Sequence, residues 1–176
     1  IKQNDVLSSW YDSFTNQFHS RNVWQYLEVP EKGCFTDFRK MKVDDDELAM
    51  ERVFSIGGKT GWYYANFLWK IRGFLDKLMG GVGLKRGRRN QNELEAGDSV
   101  DFWRVLFANK EEKRLLLFAE MKVPGEAWLE FYIKDGELHQ EATFRPLGLS
   151  GRLYWYSVLP FHGLIFNGML RKLAGK

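Results

Sequence analysis

Between Arg152 and Arg171 the chain runs LYWYSVLPFHGLIFNGML, with no charged residue and with apolar side chains on almost every face of the helix it would form. Such a helix needs cover on several sides. The stretch from Leu147 to Leu173 is therefore expected to be a long C-terminal helix lying across the mouth of a curved antiparallel sheet, with the space between them available as a pocket. Within it, Phe161, Leu164, Ile165 and Met169 follow an i, i+3, i+4, i+8 stripe, so at least part of this set is expected to face inward. The uncharged run reaches the lower edge of membrane-span length. Pro160, His162, Gly163, Asn167 and Gly168 inside it, and Gly151 just before it, argue against a span, as does the sheet that needs a covering helix.

That sheet is legible upstream. Residues 99–107, 113–122, 127–134 and 137–145 are rich in aromatic, β-branched and aliphatic residues, and turn material at 108–110, 124–125 and 135–136 separates them. Asp135-Gly136 is a good two-residue hairpin turn. The close spacing predicts an antiparallel meander, and no alternating βαβ pattern is present. Cys34, Thr36, Phe38 and Met41 among charged neighbours suggest a further strand over 33–43, though not a cleanly alternating one. Asp44, Asp45 and Asp46 then start a helix, since a short acidic side chain accepts from orphan backbone N–H groups. It would bury Ala49, Val53 and Ile56 and stop at Gly57-Gly58. A second helix is expected from Tyr63 to Met79, because Tyr64, Phe67, Leu68, Ile71, Leu75 and Leu78 recur on one side.

Composition bounds the rest. A chain of 176 residues with 44% hydrophobic, 16% aromatic and 28% charged residues can bury a real core, and aromatic residues suit the lining of a large pocket. The net charge of +3 is too balanced to imply nucleic acid. A lone Cys34 leaves no internal disulfide and makes a reducing cytoplasm the expected compartment. The chain opens at Ile1 without a secretory pattern and reads as a piece of something longer. Residues 1–30 read as an extended lead-in and 31–176 as the domain proper.

Five stretches, GCFTDFRKMKV, the run from IGGKTGWYY to GLKRGRR, DSVDFWRV, AEMKVPGEAWLEF and RPLGLSGRLYWYSVLPFHGLIFNGML, together resemble a bacterial domain family of unknown function. Its members often stand C-terminal to a short-chain dehydrogenase-like, nucleoside-diphosphate-sugar-epimerase-like NAD(P)-binding domain. The resemblance runs from about Gly33 to Leu173 and implies an α+β, START-like helix-grip (SRPBCC) fold. In it a curved antiparallel sheet wraps around the long C-terminal helix, two smaller helices support it, and a hydrophobic cavity lies between. It implies that residues 1–30 are the tail of a preceding reductase-like domain, and it carries no catalytic residues over to this chain.

The motifs of familiar chemistry fail one by one. Gly57-Gly58-Lys59-Thr60 lacks the first glycine of a phosphate-binding loop, Val53 standing there. The Gly80, Gly81, Gly83, Gly87 cluster misses the dinucleotide fingerprint at Arg86, so no cofactor is expected in this chain and NAD(P) only in a preceding domain. Lys85, Arg86, Arg88 and Arg89 form the dense basic run, a candidate contact for anions or an anionic membrane surface, but without the interleaved aromatics of a nucleic-acid platform. His19, His139 and His162 have no metal-ligand spacing, and no metal is expected.

The cavity candidates are of three kinds. Trp62, Tyr63 and Tyr64 are three rings well placed to gate a pocket. Trp103, Arg104, Glu120, Trp128 and Glu130 lie on the strands, where a pocket-facing charge would be costly unless paired or bound to ligand. Alternation puts Trp128 and Glu130 on one face and Leu129 and Phe131 on the other, without saying which is inward. Phe161, His162, Ile165 and Met169 come from the last helix. The expected function is an auxiliary module binding a hydrophobic small molecule, lipid- or isoprenoid-like. The alternatives are an enzyme using Glu120, Glu130 or His162 for proton transfer, and a membrane- or partner-docking domain.

Overall fold

The computed structural model describes residues 27–57, 60–64 and 93–176. Six strands, β1 (Phe35–Lys42), β2 (Ser99–Val100), β3 (Trp103–Asn109), β4 (Arg114–Ala119), β5 (Gly125–Lys134) and β6 (Glu137–Pro146), form one sheet in the order β1-β6-β5-β4-β3-β2. Every neighbouring pair is antiparallel. The short connections make β2 to β6 a meander, and β1 returns to pair with β6. Asp135 and Gly136 both have positive φ, 54° and 71°, which is the geometry a two-residue hairpin turn requires. The turn fixes the β5–β6 register at Lys134↔Glu137, and that register decides which side chains share a face. A bulge between Val105 and Phe107 in β3 turns the far end of the sheet.

Two helices among the described residues cover one face. α1 (Asp46–Phe54) starts at Asp45, whose side chain accepts from the Leu48 N–H at 3.0 Å. It ends at Phe54, slightly earlier than expected, and Gly57 pairs instead with Gly61 through two backbone hydrogen bonds. α2 (Gly148–Ala174) has 27 residues, about 40 Å of helix. Gly175, in the left-handed region at φ 84°, closes it with N–H bonds from residues 175 and 176 to the Lys172 and Arg171 carbonyls. Arg52 of α1 donates to the Leu173 carbonyl, so one helix caps the other. At the other end a Cβ on Gly151 would run into the Pro124 carbonyl and Pro146, and only glycine lets α2 pass so close under the strand ends. Of the expected helix over 63–79, Tyr63 and Tyr64 are described and are not helical, Tyr63 standing at φ 61°; residues 65–79, the basic run at 85–89 and residues 1–26 of the lead-in lie outside the described residues.

The core between sheet and helices is built from Val105, Leu115, Leu117, Leu129, Phe131 and Leu138 below, and from Val53, Phe54, Phe166, Met169, Leu170 and Leu173 above. Burying each large apolar side chain contributes about 1.5–3 kcal/mol, and this burial is the main hold of α2 on the sheet. A second, smaller cluster on the opposite face joins Leu106, Leu116, Phe118 and Trp128, with Leu27 and Val29 packed over it. The fold is thus an α+β helix-grip arrangement, a long C-terminal helix held across a six-stranded antiparallel sheet.

Candidate functional site

Alternation along β1 turns Phe35, Asp37, Arg39 and Met41 toward α2. Their partners on β6 are Phe144, Ala142, Gln140 and Leu138, so a strip of mixed polarity runs beneath the helix. Arg39 meets Asp37 twice, through Nε and Nη2, each at 2.9 Å, and donates from Nη1 to Asn167 of α2 at 2.5 Å. His162 of α2 brings Nδ1 to 3.7 Å from Asp37. A half-buried carboxylate and guanidinium are costly unless paired, and here each neutralises the other. Trp155 stacks on Phe35 and Phe144 with interplanar angles of 8° to both, and His162 sits edge-on to Trp155 and against Phe166.

Gln140 is the outlier. It is 0% exposed, and neither its Oε1 nor its Nε2 has a hydrogen-bond partner among the described residues. Leaving a buried polar group unsatisfied costs about 1–3 kcal/mol, and such groups in folded chains call for an explanation. The buried Trp103 Nε1, on the same side of the sheet, is likewise without a partner among the described residues.

At the β3 end the helix side of the sheet is packed with rings. Trp62 lies 6.1 Å from Trp103, centroid to centroid, and donates from Nε1 to Asp101 at 2.6 Å. Burial pushes the Asp101 carboxyl up, and the indole hydrogen bond pulls it back down. Tyr63 and Tyr64 pack against the core, and a Cβ on Gly168 would strike the Tyr64 ring, so that glycine admits the ring against α2. Ile165 packs on the same cluster and Met169 is fully buried within it.

The sequence candidates therefore divide. Trp62, Tyr63, Tyr64, Trp103, His162, Ile165 and Met169 come together on the helix side. Arg104, Glu120, Trp128 and Glu130 do not: their register places them on the outer face. There Arg104 holds Glu120 through Nε at 2.9 Å and the Gly97 carbonyl at 2.7 Å, while Arg114 holds Glu130 at 2.5 Å. Trp128 packs edge-on to Phe118. Of the expected stripe, Ile165 and Met169 face inward, while Phe161 is 54% exposed and Leu164 56%, so the correction falls on Phe161 as a cavity residue. The physical reason is that Trp155, Phe166, Leu170 and Leu173 offer a larger apolar face a part-turn away.

The sequence reading missed Asp37, Arg39, Gln140 and Asn167. Only Asp37 and Arg39 left a trace, as charges within a strand sequence; nothing in the sequence marked Gln140 or Asn167. Among the described residues no group of three or more His, Cys, Asp or Glu could hold a metal ion. Burial raises the Cys34 thiol pKa, which keeps it protonated and a poor nucleophile.

Residues 31–169 match the family described as "Protein of unknown function (DUF2867)", and the chain belongs to that family. A "Probable translation initiation factor IF-2" from Pyrococcus abyssi (strain GE5 / Orsay) is 29% identical over 125 residues, 60% of this chain. The match spans only 13% of that relative's length. Among solved structures, ginseng major latex-like protein 151 from Panax ginseng is similar at a TM-score of 0.48 and 7% identity, over 81% of this chain and 96% of that one. Ara h 8.0201 is similar at a TM-score of 0.40 and 10% identity, over 82% and 100%.

Proposed function

We propose that the chain is an auxiliary binding module that takes a hydrophobic small molecule, lipid- or isoprenoid-like, between the inner face of the sheet and α2. The observation that carries the reading is the interface itself, where an aromatic wall and an apolar floor surround buried polar atoms that the described residues leave unsatisfied. A few fixed polar groups in an otherwise apolar site is how small-molecule sites orient their ligands. In the parent protein the module serves a preceding NAD(P)-dependent, reductase- or epimerase-like domain, which supplies the cofactor in a reducing cytoplasm. The test is uptake of an apolar fluorescent probe by the parent and by Ile165→Asp. The parent should bind, and the variant should lose both stability and uptake because it sets a charge against the core; a variant that melts and binds like the parent overturns the reading. Calorimetry with NADH and NADPH should show no micromolar binding to this chain.

Two observations favour other readings. Enzymatic acid–base work narrows to His162, the one sequence candidate for it that faces inward beside a carboxylate. His162→Gln should then abolish any acid–base activity of the chain without lowering its melting temperature, and retained activity would exclude it as the base. Docking to an anionic membrane is favoured by the exposed Leu149, Leu153, Tyr156 and Leu164 on α2, a helix whose only charged residues are Arg152, Arg171 and Lys172. No helix among the described residues is long and apolar enough to cross a membrane. Salt-sensitive sedimentation with phosphatidylserine vesicles, lost in Leu153→Asn, would support docking.

A further inference from the structure

We infer that Gln140 is a polar subsite on the inner face of the sheet, for a neutral group that presents a hydrogen-bond donor and an acceptor side by side, as a carboxamide or lactam edge does. The inference rests on the binding reading above and adds the chemistry of the ligand's head. Gln140 stands on β6, the second strand from the β1 edge, opposite Arg39 on one side and Phe131 on the other. Its neighbours along β6 on that face are Leu138 and Ala142, both buried. Arg39 is the polar residue among these four, and it is turned away: Nε and Nη2 face Asp37 and Nη1 donates to Asn167. The amide is therefore left with both an open donor and an open acceptor in an apolar setting. Because both ends are open, the conclusion is the same for either orientation of the amide.

The complement of such a side chain is a group that offers one of each. A carboxylate is acceptor-only and would leave the Gln140 carbonyl unmet, and the nearest guanidinium already has its charge balanced by Asp37. An ammonium is donor-only and would leave the Nε2 hydrogens unmet. A neutral amide satisfies both atoms with two parallel hydrogen bonds, while Phe131, Leu138 and Phe166 bury the apolar remainder. The same logic predicts discrimination, since a site built to hydrogen-bond a group rejects an analogue that lacks it.

The test uses the whole chain with a matched pair of probes, 2-naphthamide and 2-methylnaphthalene, followed by tryptophan fluorescence. Gln140→Leu should weaken the amide about tenfold, the equivalent of one net buried hydrogen bond, and leave the hydrocarbon within about twofold. Its melting temperature should not fall, because the substitution removes buried groups that lack partners. In the unsubstituted chain the Gln140 side-chain NH₂ resonances should shift on adding the amide and stay in place with the hydrocarbon. Equal loss of both probes in the variant, or an unmoved NH₂ pair at amide saturation, overturns the subsite while the binding reading stands. If neither probe binds the unsubstituted chain, the binding reading falls and the subsite with it.

Discussion

The two faces of the sheet handle polar residues in opposite ways. On the outer face, charge is met by charge across neighbouring strands: Arg104 with Glu120, Arg114 with Glu130, and Arg145 with Glu126. On the inner face Arg39 and His162 gather around one carboxylate, Asp37, beside a fully buried amide whose two polar atoms no described residue meets. The outer face also holds an open atom, His139 Nδ1, but its ring is stacked on Tyr132 and tilted against Phe38. The difference teaches that charges conspicuous in a strand sequence can be the ones already satisfied. The open hydrogen-bonding atoms sit on a neutral residue that no charge pattern marks.

The largest expected effects come from cutting one ring on each face. Phe131 on the inner face and Trp128 on the outer are both fully buried. Replacing either by alanine should cost about 3–5 kcal/mol in urea denaturation. Only Phe131→Ala should also change uptake of an apolar probe. Equal changes in uptake from both variants would break the division of labour between the faces.

Next comes the Arg104–Glu120 pair, whose side chains are nearly out of solvent. Glu120→Ala takes the carboxylate away from a buried guanidinium and should cost about 3 kcal/mol. Replacing both partners by Met and Leu should recover most of it, because a well-packed apolar pair can substitute for a buried ionic one. Failure of the double variant to recover would mean that the Arg104 bond to the Gly97 carbonyl matters more than the carboxylate. Smaller again is removal of residues 1–30, which uncovers Trp128 by taking away Leu27 and Val29. Melting should stay cooperative but lose about 2 kcal/mol, the scale of two partly buried apolar side chains. A lost transition would place the lead-in in the same core as the groove.

Much of the fold was readable because its signals are local. The Asp135-Gly136 turn, the acidic start of α1 and the uncharged run of α2 each state their structure within a few residues. The site was less readable because it is assembled by register. Arg39 and Gln140 are far apart in sequence and opposite each other only through the β1–β6 pairing, which no local pattern encodes. The phase of β5 was open for a related reason. Trp128, Glu130 and Tyr132 look like a pocket lining, whereas Leu129, Phe131 and Ile133 look like a plain core, and the helix covers the plain face. The sequence left open which part of the α2 stripe faces inward, and it placed Phe161 in the cavity wrongly, because a helix with apolar residues all round gives no phase. Its phase is set instead by the bulk of Trp155 and Phe166 against the strip from Phe35 to Phe144.

The smallest effect sharpens the outer face alone. Glu141 lies directly opposite Glu130 on β5 and opposite Phe38 on β1, with His139 and Thr143 beside it on its own strand and Arg114 beyond Glu130. Burial raises its carboxyl pKa first, the Glu130 charge raises it further, and His139 lowers it. A folded-state pKa above the unfolded value means that the folded form binds the proton more tightly. The stability this contributes is complete below the ordinary value of 4.5 and is lost as pH rises through the raised folded value. At neutral pH the ionised Glu141 therefore works against the fold, and Glu141→Gln should melt about 2 °C higher than the parent, a modest effect in keeping with partial exposure. The gap should close as pH falls toward 4.5, where the parent carries its own proton. If the two chains keep a constant gap across that range, Arg114 is compensating both carboxylates. The outer face would then be as fully paired at Glu141 as it is at Arg104 and Glu120.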